Sequence, residues 1–111
     1  MTELEERFME DNFKLSVYRI CQEQFNNITK YAKANTIHFY LGNRNGSLEL
    51  RIKDDGIGFD KAKKSNGVGL MNMKTRAALF NGMIEINTAP GKGCELVVQF
   101  KLPLLEQIPA K

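Results

Sequence analysis

TIHFYLGNRNGSLELRIK, residues 36–53, reads as two strands folded back on one another. Ile37, Phe39 and Leu41 alternate in the first. Leu48, Leu50 and Ile52 alternate against Glu49, Arg51 and Lys53 in the second, the period of two expected of a strand with one buried face. Between them, Gly42 to Gly46 (Gly-Asn-Arg-Asn-Gly) has the composition of a hairpin turn. A hairpin, rather than a helical crossover, points away from a doubly wound parallel sheet.

Upstream, Tyr18, Cys21, Phe25, Ile28 and Ala32 recur at steps of three and four, predicting a helix over about residues 13–34 with that stripe facing a core. Residues 1–12 are rich in acid (Glu3, Glu5, Glu6, Glu10, Asp11) and read as a leader or the end of a preceding segment. Downstream, Leu70, Met73, Ala77 and Phe80 predict a second helix over 69–81, with Gly82 placed as its C-cap glycine. MIEIN (83–87) and CELVVQFKL (94–102) close the chain as two strands, with Ile84 and Ile86 on one and Cys94, Leu96, Val98, Phe100 and Leu102 on the other. Pro103 ends the last strand, and 104–111 form a C-terminal tail. The expected fold is α+β, a two-layer sandwich. Its mixed, mostly antiparallel sheet is covered on one face by helices.

With 111 residues and a formal charge of +3, the chain is one domain with no electrostatic case for nucleic acid. Cys21 and Cys94 lie far apart without metal-ligand spacing and read as free thiols of a reducing compartment. Nothing is long and apolar enough to cross a bilayer, so the expectation is a cytoplasmic, monomeric domain without membrane contact. His38, the only histidine, falls in the outward phase of its strand.

DDGIGFDKAKKSNGVGL, residues 54–70, puts glycines on both sides of a lysine-rich run. It matches neither the dinucleotide fingerprint nor the P-loop, and a calcium loop counted back from Gly56 would start on Arg51. The first helix carries a second pattern: Glu23, Asn27, Lys30 and Tyr31 fall within roughly 100° on a straight helix. Asparagine is a poor mid-helix residue. A carboxylate, an amide, a cation and an aromatic ring together suit a hydrated Mg²⁺ shared with phosphates, beside a planar base.

These segments resemble the ATP-binding catalytic domain of bacterial sensor histidine kinases, within the gyrase and chaperone ATPase superfamily with the Bergerat fold. YRICQEQFNNITKYAKA (18–34) is similar to the asparagine box of the subfamily that partners nitrate-regulator-type response regulators. DDGIGF (54–59) resembles the first glycine box, NGVGLMNMKTRA (66–77) the second, and APGKGCELVVQFKLP (89–103) the closing strand pair. The likeness spans 13–103, which defines the expected ATPase domain.

The resemblance implies ATP and Mg²⁺ as cofactors. Asn27 would coordinate Mg²⁺, and Glu23 would orient a nucleophile or touch the metal. Lys30 would approach the phosphates and Tyr31 would pack on adenine. Asp55 would accept the adenine amino group, with Gly56 and Gly58 leaving room for the base. Residues 60–66 would form a lid carrying Lys61, Lys63 and Lys64, and Gly67, Val68, Gly69 and Leu70 would hinge it. Cys94 stands where the family often has a threonine supporting the adenine-binding aspartate. The implied partners are a phosphoacceptor and dimerisation domain bearing a histidine and, through a parent kinase that can be membrane-anchored, a response regulator. Two alternatives share the fold: an anti-sigma-factor-type serine kinase and a non-catalytic nucleotide-binding module.

Overall fold

The computed structural model describes residues 2–60 and 69–101. Helix α1 (Glu3–Asn27) opens on a capping box: the Thr2 hydroxyl accepts from the Glu5 amide, and the Glu5 carboxylate accepts from the Thr2 amide. Glu3, Glu5 and Glu6 in the first turn favour the positive end of the helix dipole. The helix expected to begin at residue 13 therefore begins ten residues earlier, at Glu3, within the acidic segment. Its far end widens into a π-helical turn, Ile28–Ala32, and Lys33 follows in the left-handed conformation (φ 51°).

Phe13, Ser16, Ile20 and Gln24 are the buried residues of α1, continued by Ile28 in the turn. Cys21, Phe25 and Ala32 of the expected stripe are only partly buried against this core, and Tyr18 is 58% exposed. The centre of the buried face is offset because two of its members, Ser16 and Gln24, are polar.

Strands β1 (Ile37–Arg44), β2 (Ser47–Asp54), β3 (Met83–Thr88) and β4 (Cys94–Lys101) form one sheet in the order β1-β2-β4-β3. Every pairing is antiparallel, so among the described residues the sheet is not mixed. The first hairpin closes on Asn45 and Gly46, both at positive φ (54° and 79°), with Arg44 opposite Ser47. That two-residue turn matches strand twist. Leu50, Ile52, Leu96, Val98 and Phe100 are buried beneath the helices. Ile37, Phe39 and Leu41 share that face by register but remain 43–51% exposed, since the helical layer only partly covers edge strand β1.

Helix α2 (Leu70–Ala78) buries Met73 and Ala77, with Leu70 and Phe80 packed against the core. The left-handed residue after it is Asn81 (φ 56°), not Gly82. Gly82 is small for another reason: the Phe100 ring lies where its Cβ would stand, while its amide donates to the Ala77 carbonyl at 2.8 Å. Phe13 joins the layers through edge-to-face contacts with Phe80 (5.3 Å) and Phe100 (4.9 Å).

Candidate functional site

The inward alternation of β2 does not stop at Ile52. It continues to Asp54, which is 2% exposed and directly opposite Cys94 of β4. One carboxylate oxygen, Oδ1, accepts from the Gly56 amide at 2.8 Å. The other, Oδ2, is buried and has no hydrogen-bond partner among the described residues. Burial pushes the Asp54 carboxyl above its ordinary range, opposed by the Gly56 amide and reinforced by the charge of Asp55.

Asp55, the carboxylate expected to meet adenine, is exposed and occupied differently. Its Oδ1 accepts from the amides of Asn35 (2.8 Å) and Thr36 (3.0 Å), tethering the segment after α1 to the end of β2. The Thr36 and Asn35 amides stabilise its charged form and hold its pKa below the usual carboxylate range. Two adjacent carboxylates thus divide the work: Asp55 braces a loop, and Asp54 presents an unsatisfied oxygen inside the layer.

Backbone carbonyls crowd the space beside Gly56 and Gly58. A Cβ on Gly56 would meet the Ala32 carbonyl; one on Gly58 (φ 63°) would meet those of Ala89 and Gly93. The loop is pinned on both flanks, by Ile57 N–H to Ala32 O (2.8 Å) and Gly91 N–H to Ile57 O (2.6 Å).

Gln24, 3% exposed, extends its amide Nε2 to Cys94 Sγ at 3.7 Å. Glu23, one residue earlier, packs its carboxyl group against Gly69, the residue immediately before α2. Asn27 follows one turn after Glu23, partly buried. The site elements brought together are therefore the second half of α1, the start of α2 and the sheet end carrying Asp54 and Cys94. Lys30 and Tyr31 are exposed on the π-helical turn. Their turn borders the glycine loop through Ala32. Lys61, Lys63, Lys64, Gly67 and Val68 lie outside the described residues.

No group of three or more acidic, histidine or cysteine side chains among the described residues could hold a metal by itself. Glu23 and Asn27 offer hard oxygens in the small number that suits an ion completed by water and phosphate oxygens. No described helix is long and apolar enough to cross a membrane.

The sheet is covered on one face by helices, and at the end of that layer Asp54 keeps a buried oxygen without a hydrogen-bond partner among the described residues. Residues 13–106 match the model of the histidine kinase-, DNA gyrase B- and HSP90-like ATPases, and the chain belongs to that family. A sensor-like histidine kinase of Chloroflexus aurantiacus is 39% identical over 90 residues, covering 75% of this chain and 15% of the relative. The histidine-protein kinase/phosphatase DegS of Brevibacillus brevis is 33% identical over 98 residues, or 87% and 25%. The chain thus spans a quarter or less of these relatives. The histidine kinase domain of the blue-light activated kinase of Erythrobacter litoralis EL346 superposes with a TM-score of 0.72 at 14% identity, covering 86% of this chain and 46% of that one. That likeness confirms the fold.

Proposed function

We propose that the chain is the catalytic domain of a sensor histidine kinase: it binds Mg²⁺-ATP and presents the γ-phosphoryl group to a histidine on a phosphoacceptor and dimerisation domain of the parent protein. A response regulator, of the nitrate-regulator type on the form of residues 18–34, would receive the group from that histidine. The observation that carries this reading is the orphaned, buried Oδ2 of Asp54. It is an acceptor awaiting a donor, and the exocyclic amine of adenine supplies one. A buried acceptor left unpaired is costly, whereas a hydrogen bond to a charged group contributes about 1.5–3 kcal/mol.

Phosphoryl transfer asks a protein mainly for positioning and charge neutralisation. Mg²⁺, when bound, would neutralise charge on the phosphates, with Asn27 and Glu23 as its protein contacts. Lys30 adds a cation near them and Tyr31 a ring for the base. The first amides of α2 lack intrahelical partners and favour the triphosphate. Relatives that are sensor histidine kinases favour a histidine target over a serine one.

Incubation with γ-labelled ATP tests the division of labour. The isolated chain should bind nucleotide and label itself negligibly, because the acceptor histidine is proposed to reside on another domain. Asn27→Ala should abolish the difference between affinities measured in Mg²⁺ and in EDTA. Efficient self-labelling, or a Mg²⁺ effect untouched by Asn27→Ala, would overturn the assignment.

A further inference from the structure

Gln24 is the most buried polar residue of α1, at 3% exposed, and it lies between Ile20 and Ile28 on the core face. Such a side chain loses both hydration and rotamer freedom on burial, so it persists where it has hydrogen-bonding work. Its one described side-chain bond is to Cys94 Sγ, 3.7 Å away, and sulfur is a weak acceptor. Cys94 in turn sits opposite Asp54, whose Oδ2 is unpartnered. Three buried polar side chains therefore lie at one end of the layer: Gln24 bonds to Cys94, and Cys94 stands opposite Asp54 in the strand register.

Other donors near that layer are committed. The Thr88 hydroxyl donates to the Gly93 carbonyl at 2.6 Å and also meets the Cys94 thiol, and the Gly56 amide is taken by Asp54 Oδ1. A thiol alone offers Asp54 little, since S–H is a weak donor. What the layer does contain is an amide dipole with its positive end directed at Cys94.

Resting on the nucleotide-site reading above, we propose that Gln24 is a positioning residue for base selection: its amide fixes the Cys94 thiol, and the pair together buttress Asp54 so that its free oxygen faces the amino group of adenine. Gln24 does not touch the nucleotide; it acts through Cys94. Burial pushes both the Asp54 carboxyl and the Cys94 thiol above their ordinary ranges.

The test is a cycle of Gln24→Leu, Cys94→Thr and the double variant, with ATP and GTP affinities measured on each and folding checked by melting. Leucine preserves volume but removes the donor. Gln24→Leu should weaken ATP about tenfold with little change for GTP, so the ATP-to-GTP ratio falls. In the Cys94→Thr background, where a hydroxyl can reach Asp54 without help, the same change should alter the ratio less than threefold. If Gln24→Leu folds poorly, Gln24→Met makes the same comparison. An unchanged ratio in either, or a loss of ratio that threonine does not rescue, would refute the buttress. Asp54→Asn serves as the separate control: if it leaves the ratio intact, the base-site reading itself fails, whatever Gln24 does.

Discussion

Gly69 stands at φ 67° with the Glu23 carboxyl group packed where a Cβ would be. Any L-residue there meets a left-handed backbone that costs about 1–2 kcal/mol and must also displace Glu23. Gly69→Ala should therefore lower the melting temperature by at least about 4 °C. Adding Glu23→Ala should recover only the part due to the collision. Differential scanning fluorimetry on the three variants checks this, and an unshifted Gly69→Ala would mean the left-handed start of α2 is not maintained. The same scale shows where the sequence was legible. Leu48, Leu50 and Ile52 already announced a period of two, and carrying it one step further assigns Asp54 to the buried face. The adjacent Asp55 obscured that signal, because a carboxylate at a strand end reads as solvated by default. What the sequence could not show is that Asn35 and Thr36, nineteen or twenty residues away, cap Asp55.

Among elements, the strands were read from their alternation and the helices only in part. In α1 the buried face runs through Ser16 and Gln24, so an apolar stripe misjudges its centre, and nothing local in ITKYA (28–32) announces a π-helical turn. At its end the Ala32 carbonyl leaves the helix to receive the Ile57 amide. The sheet has its own electrostatic device on the outer face. Glu49, 2% exposed, accepts from Arg51 Nε (2.9 Å), Gln99 Nε2 (2.9 Å) and Arg44 (3.4 Å), linking β1, β2 and β4. Those bonds, Arg51 first and Gln99 next, hold the Glu49 carboxyl at about 2. An unfolded glutamate titrates near 4.3, so the native state binds fewer protons between these values. The stabilisation is fully present above about pH 4.5 and is lost as pH falls toward 2. Urea denaturation across pH 7 to 2 should show Glu49→Gln less stable at neutrality, with the two curves converging in acid. Parallel curves would contradict the role given to this carboxylate.

For the whole molecule, the layers explain why so little machinery is needed. One sheet face and two helices form the core, and the same interface, at the end where β2 and β4 carry Asp54 and Cys94, leaves an acceptor unsatisfied. The family match spans 13–106, taking in most of α1, all of α2 and all four strands. We propose that Asp54, not its exposed neighbour, reads the base. Calorimetric titration of ATP and GTP into Asp54→Asn and Asp55→Asn tests it most directly. Asp54→Asn should weaken ATP by at least about tenfold, the lower end of a charged hydrogen bond, and erase the preference over GTP, while Asp55→Asn keeps that preference. Loss of preference in Asp55→Asn with Asp54→Asn unaffected would contradict the account.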